Sequence, residues 1–409
     1  MPGLRAALFA LIFLAVPLRV LAQQPPARTP PAPRDTGRVR PGAAGPAGTT
    51  TASAARCGDE EVVSNRVFLF ENDRLFIVPA LNDDRNYTGG FGFLYGGCFV
   101  EVGGFTRPLK IFDRTIGRLF EAGLALAGLP ELLPVTANLR RHSIMLASSA
   151  FTPDSLDLSA PIFEERPYGS IFGITVRRIV VDDNEEHALG TSLTLAALGW
   201  DIGERVQTEL HRGLRKATGN DTPVDPQGWH NQISHGGELT LLYTAAYEWH
   251  VAGPAPTALD KNLQVTLSPA LFLGYYTNAS FAGTVRVGWF DSNFWESTTA
   301  AMAGYVQRQH RAGGRDWELI FFLTPRVRAV AYNALLQGQF RESVHTFPSD
   351  RVRRVLAEGD LGFTWNKKMG RRWFAFSYVL SARSSEFEST ESRAHYWAAL
   401  QLSLTPPNY

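Results

Sequence analysis

Through most of the chain beyond residue 60, apolar and polar residues alternate every second position, the period of a strand with two unlike faces. From Glu238 to His250 one face carries Leu239, Leu241, Tyr243, Ala245, Tyr247 and Trp249, and the other Glu238, Thr240, Thr244, Glu248 and His250. From Val355 to Asn366 an odd-numbered face from Val355 to Trp365 opposes an even-numbered one with Glu358, Asp360, Thr364 and Asn366. Near the C-terminus Tyr396, Ala398, Leu400, Leu402 and Leu404 oppose Trp397, Ala399, Gln401, Ser403 and Thr405. Comparable strands fall near 62–72, 87–101, 139–150, 168–181, 188–200, 263–276, 281–290, 316–332 and 371–384, twelve in all. An even number of strands of roughly ten residues, with one apolar face and aromatics at the ends, predicts an all-β fold, a transmembrane antiparallel β-barrel. A soluble sandwich shares the alternation, but its strands average about five to six residues, so strand length favours the bilayer.

Two segments break the period. In LKIFDRTIGRLFEAGLALA, Leu109 to Ala127, the residues Phe112, Ile116, Leu119, Phe120 and Leu124 recur at helical intervals. This predicts an amphipathic helix in the connection after the second strand, packing on the barrel mouth. In ERVQTELHRGL, Glu204 to Leu214, Gln207 and His211 lie four apart and so share one face of a short helix between the fifth and sixth strands.

The N-terminus changes the picture by giving the chain an address. MPGLRAALFALIFLAVPLRVLA has one early Arg, an apolar run of about a dozen residues and small residues before Gln23, which reads as a secretory signal peptide cleaved after Ala22. Residues 23–56 are Pro, Ala, Gly, Thr and Arg with little to bury, the composition of a disordered spacer. Residues 57–409 then make the barrel. The net charge of +1 argues neither for nor against a nucleic-acid partner, and none is expected of an exported barrel. The two cysteines, Cys57 and Cys98, read as one disulfide in an exported protein or as two thiols; their spacing is not that of a metal site.

In an outer-membrane barrel with a periplasmic N-terminus, the connections after odd-numbered strands lie outside the cell. The helix of His211 is one of these. The same rim would gather Asn72 and Asp73 from FENDRLF, Asp84, Arg85, Tyr87 and Thr88 from DDRNYTGG, Arg166 and Tyr168 from EERPYGS, and the segment GWHNQI, Gly228 to Ile233. Together they supply a general base, hard oxygen ligands and an anion contact. Connection 8–9, about residues 291 to 315, would be periplasmic yet long, where short turns are usual.

The order of these motifs resembles that of the outer-membrane lipid A 3′-O-deacylase family. The match runs through Asn72 and Asp73, Asp84 to Gly90, Arg166 to Tyr168, Val206 to Arg212 and GWHNQI, over about residues 62–250, with RAVAYNALLQGQFRES, Arg328 to Ser343, beyond it. The resemblance implies a twelve-stranded barrel in the outer membrane, acting as a monomer, that removes the 3′-linked acyloxyacyl chain of lipid A in a calcium-dependent reaction. It implies that His211 activates water, that Gln207, Asn72, Asp73 and Thr88 are the other polar groups of the site, that Arg166 and Tyr87 contact substrate, and that Asp73 and Asn72 bind Ca²⁺. The spacer and the helix over 109–127 are additions to the family's pattern, and Ala217 stands where some members carry an acidic residue. No G-x-S-x-G nucleophile elbow occurs, so water rather than a serine is the expected nucleophile. A passive channel and an inactive glycolipid-binding relative are the competing readings; neither needs ester hydrolysis, and the channel needs no helix at the rim.

Overall fold

A computed structural model describes residues 65–75, 88–97, 100, 104–133, 139–219, 224–296 and 313–405. The expected signal peptide and spacer, Tyr87, Asp84, Arg85, Cys57 and Cys98 lie outside those residues. The described chain forms twelve strands: β1 (Asn65–Asn72), β2 (Gly89–Gly96), β3 (Leu139–Phe151), β4 (Gly169–Val181), β5 (His187–Leu198), β6 (Glu238–Ala252), β7 (Lys261–Gly274), β8 (Tyr276–Phe290), β9 (Trp317–Asn333), β10 (Val355–Met369), β11 (Arg372–Arg383) and β12 (His395–Thr405). They close into one barrel in which each strand pairs antiparallel with its sequence neighbours and β1 with β12. Closure satisfies every strand edge, as a wall surrounded by hydrocarbon requires.

Alternation sets the two faces of that wall. Along β9 the buried and open positions trade places almost residue by residue: Glu318, Ile320, Phe322, Thr324, Arg326 and Arg328 point in, while Phe321, Leu323 and Val327 point out and are exposed. β10 repeats this, with Glu358, Thr364 and Asn366 inside and Val355, Leu361 and Trp365 outside. The apolar belt thus faces outward and the polar set is enclosed, the reverse of a soluble protein.

The enclosed side is a packed polar core. Glu358 accepts hydrogen bonds from Arg326 and Arg328 and pairs with Arg383 at 2.7 Å. Arg286 donates to Gln264 and to Ser292, and Thr266 donates to Glu248. Gln264, Thr266, Glu248, Arg286 and Glu318 are all within 1% of complete burial, so this level of the barrel is closed to water.

One expected feature comes out differently. The β7–β8 connection is one residue, Tyr275, where the sequence suggests a gap of several; Gly274 makes the turn because a Cβ there would lie 2.0 Å from the Leu241 carbonyl oxygen. Connection 8–9 has the length expected of it, since β8 ends at Phe290 and β9 begins at Trp317, and its first residues are packed. Asp291 and Ser292 donate their N–H groups to Glu318, and Phe294 and Trp295 bury fully against the inward residues Ile179, Val181 and Ala188, closing that end from within.

The odd-numbered connections share what is here termed the upper rim, the even-numbered ones the lower rim. Each rim carries a helix laid against the outside of the wall. At the lower rim α1 (Arg107–Phe112) and α2 (Arg118–Leu126) run on through a π-helical stretch, Asp113–Gly117. Leu109, Phe112, Ile116, Phe120 and Leu124 pack on Val176, Leu193, Tyr243 and Ala245, and on Val180, Leu189 and Tyr247. All of these wall residues share the face of the exposed Ile174, Leu195 and Leu241. The helix expected at the barrel mouth is therefore on the lipid side of β4–β6. At the upper rim α3 (Ile202–Thr218) lies on the outer ends of β3 and β4 and ends at Gly219 in the left-handed conformation, the usual helix stop. No described helix is long and apolar enough to cross a membrane, so any crossing is made by the strands.

Candidate active site

The helix α3 can approach the wall because one of its turns is bare. A Cβ at Gly203 would sit 2.7 Å from the Ser170 Cβ and 3.1 Å from the Trp229 ring, so glycine sets the helix–strand spacing. Along the same face follow Val206, Gln207 and Leu210, at the i, i+3, i+4, i+7 spacing of a single helix side. With Phe70, Asn72, Thr88, Gly89, Phe91, Ser148 and Ala150 they enclose a small cavity between helix and wall. The register pairs Asn72 with Gly89, Gly89 with Ala150 and Phe91 with Ser148, on the face of the exposed Phe68, Phe93 and Leu146. The cavity is thus open to the lipid side of β1–β3, beneath the upper rim.

Its polar groups are held one by one. Asn72 Nδ2 donates to the Thr88 carbonyl at 2.6 Å, and the Thr88 and Thr152 hydroxyls share a 2.7 Å hydrogen bond. Asp73 is buried at the start of the 3-10 turn that follows β1. Glycine at 89 keeps this floor open, since a Cβ would meet the Glu71 carbonyl oxygen at 2.6 Å. The Trp229 indole N–H donates to Gln207 Oε1 at 2.9 Å, which settles which end of the amide is oxygen. Gln207 Nε2 is consequently a buried donor aimed away from the indole, and it has no hydrogen-bond partner among the described residues. Tyr168 supports Trp229 with ring centroids 5.1 Å apart; burial pushes its hydroxyl up to about 12.

His211 lies one turn beyond Gln207, buried, beside the cavity rather than in its lining. Its Nδ1 is 2.7 Å from the Val224 carbonyl. A carbonyl only accepts, so Nδ1 carries the proton and Nε2 keeps the lone pair in the neutral ring. The loop bearing Val224 is latched to the helix by Asp225, which pairs with Arg215 at 2.8 Å and Arg212 at 3.6 Å. The hydrogen bond from Arg215 is the main reason the Asp225 carboxyl titrates below its ordinary range.

Of the residues expected at the site, Asn72, Thr88 and Gln207 are brought around one cavity, and Asp73 and His211 adjoin it in the chain. Arg166 is not part of the lining. It is buried, ion-paired with Glu386 and stacked over Phe151 at 4.2 Å, so its guanidinium is committed inside the protein. Trp229 and the Val224 carbonyl orient the expected residues. GWHNQI was visible as a motif in the sequence, but a backbone carbonyl leaves no such mark. The oxygen donors of Asp73, Asn72 and Thr88 fit a hard divalent cation in kind. Among the described residues no three His, Cys, Asp or Glu groups gather.

A lipid-facing cavity under a rim helix, on a closed twelve-stranded barrel, defines the class: an outer-membrane β-barrel with a site at its wall. A family model described as outer membrane protein LpxR matches residues 43–405, and the chain belongs to that family of lipid A deacylases. LpxR from Salmonella typhimurium superposes with a TM-score of 0.60 at 16% identity, covering 83% of this chain and 99% of that one. The β domain of the Bordetella autotransporter BrkA gives 0.35 at 9% identity, over 84% and 99%. No curated protein matches the chain.

Proposed function

We propose that the protein hydrolyses the ester holding a 3′-linked acyloxyacyl chain on lipid A, at the outer surface of the outer membrane. The reading rests on one observation above others: His211 and the partnerless amide of Gln207 lie one turn apart on a helix pressed against the lipid-facing wall. A membrane lipid reaches that wall laterally, with its chains against Phe68 and Phe93 and its ester at the level of the cavity.

The chain's own groups then supply the steps. His211 Nε2 takes a proton from water as the water oxygen attacks the ester carbonyl carbon. Gln207 Nε2 donates to the oxyanion as charge develops, filling a hydrogen-bonding position left open in the resting protein. Collapse breaks the bond between acyl carbon and sugar oxygen, and the imidazolium returns its proton to that oxygen. A calcium ion held by Asp73 and Asn72 would supply Lewis-acid polarisation of the carbonyl. The upper rim faces the exterior in this reading, and the lower rim the periplasm. The packed lumen, with Arg286 and Glu248 closed to water, speaks against a passive channel.

The test is incubation of the purified barrel with lipid A and mass spectrometry of the products. Loss of one acyloxyacyl mass, abolished by EGTA and restored by added calcium, is the expected result. Intact lipid A with calcium present would overturn the enzymatic assignment; full activity in chelator would remove the metal.

A further inference from the structure

The lower helix has a second face that neither the barrel nor the proposed reaction uses. On its buried side the Asp113 carboxylate pairs with Arg178 at 2.8 Å and accepts from the Tyr243 hydroxyl at 3.1 Å, and one oxygen of Glu121 accepts the N–H groups of Leu132 and Leu133. Along the edge of that contact, Arg107, Lys110, Arg114 and Arg118 recur every three or four residues and are exposed. Lys110, Arg114 and Arg118 line a cavity of about 370 Å³ between helix and wall. Arg178 lines it too, but its charge is met by Asp113, and no described residue forms an ion pair with the other three. Beside this basic edge the helix exposes Ile111 at 65%, Leu119 at 74% and Leu126 at 92%.

We propose that this cavity binds the phosphate of an anionic phospholipid in the membrane leaflet at the lower rim. Three cations with no ion pair among the described residues suit a phosphate, and a carboxylate already paired with Arg178 at the cavity floor repels it less. The exposed leucine and isoleucine side chains lie on the same lipid-facing side, where acyl chains attached to that phosphate would run. A helix lying in the interface plane, basic on one edge and apolar on the other, has the signature of a headgroup-binding element. A protein partner would not account for cations and alkyl side chains set side by side on a wall that faces lipid. The choice of a glycerophospholipid over lipid A rests on the orientation proposed above.

The experiment uses the full-length protein in detergent, exchanged against phosphatidylglycerol or phosphatidylcholine and read by native mass spectrometry. The wild type is expected to retain phosphatidylglycerol over phosphatidylcholine by at least about tenfold, given the contribution of each cation near an anionic surface. The variant K110Q/R114Q/R118Q is expected to lose that preference while deacylating lipid A at the unaltered rate. A control that removes two positive charges elsewhere on the same rim, R371Q/R372Q where β10 turns into β11, should keep it. Equal retention of the two lipids by the wild type, or an equal loss in the control, overturns the proposal. Retention of inorganic phosphate without any lipid preference overturns it as well. Orientation is checked separately, by labelling a cysteine placed at Arg341 on the upper rim of intact cells. Labelling without lipid retention defeats this inference alone. Labelling that fails only until the cells are opened defeats the orientation.

Discussion

The two wall helices use one device for opposite ends. Each lies on the lipid side of the barrel and buries a polar side chain against it. At the lower rim the buried group is Asp113, and its oxygens are met by Arg178 and Tyr243 within an apolar contact built from Leu109, Phe112, Phe120 and Leu124. At the upper rim it is Gln207, and half of its amide is met by Trp229 while the other half has no partner among the described residues. A buried donor without an acceptor costs roughly 1–3 kcal/mol. Such a cost persists where a ligand supplies the missing partner. One oxygen of Glu121 on the lower helix also lacks a hydrogen-bond partner among the described residues; the upper helix differs in that its open group is a donor, on a residue lining the lipid-facing cavity where the proposed reaction would use it.

The largest effect expected from breaking this contrast is at His211. His211→Ala should lower lipid A turnover by about 10²–10⁴-fold, the range of a lost general base. The barrel should still show its heat-dependent mobility shift on gels, because nothing in the strand ladder depends on the ring. Next comes Gln207→Leu, for which kcat should fall about 10²–10³-fold with little change in KM, as for a donor used only in the transition state. Its thermal stability should change little, since an unmet donor is removed while the buried Trp229 N–H loses its acceptor. A drop in stability instead would mean that the amide is structural, and the contrast between the helices would fail.

The matching change at the lower rim is Asp113→Ala. It leaves the nearly buried Arg178 without its carboxylate and should cost about 3 kcal/mol in helix docking, at the low end for a broken buried pair. Limited proteolysis between Gly104 and Leu133 should accelerate while deacylation continues. Loss of activity in that variant would show that the two rims are coupled through β4, which carries Arg178 at one end and touches α3 at the other.

How far these arrangements were legible follows from the period of each element. Twelve strands could be read because seventeen residues of β9 alternate with hardly a break, and the i, i+4 pair of Gln207 and His211 shows on any helical projection. Which side of the wall a helix takes is not written in its own period. The clue lay in β4, where Arg177 and Arg178 are adjacent and so face opposite ways. A guanidinium on a lipid-facing position has to be covered, and the chain over 107–126 covers it. Arg166 misleads for a similar reason: in sequence it is a loop cation, and only the distant Glu386 makes it a buried ion pair. The reach of Val224 to His211 is equally silent, because a carbonyl belongs to every residue.

The smallest effect concerns that ion pair, which ties connection 3–4 to connection 11–12 inside the upper rim. Burial alone would raise the Glu386 carboxyl, but Arg166, Arg383 and His395 override it and hold it down to about 2, below its ordinary 4.5. A depressed carboxylate stabilises the fold above its unfolded value, and that contribution fades as pH falls through 4.5 towards 2. Between pH 7 and about pH 3.5 the loss is on the order of 1.4 kcal/mol. Thermal unfolding in detergent should therefore show a lower midpoint at pH 3.5 than at pH 7, with Glu386→Gln reducing the dependence. Because Arg166 is engaged here, Glu386→Gln should disturb the rim without acting as a loss of substrate contact. If it instead raised KM for lipid A with the midpoint unmoved, Arg166 would return to the substrate side, and the upper helix would no longer carry the site alone.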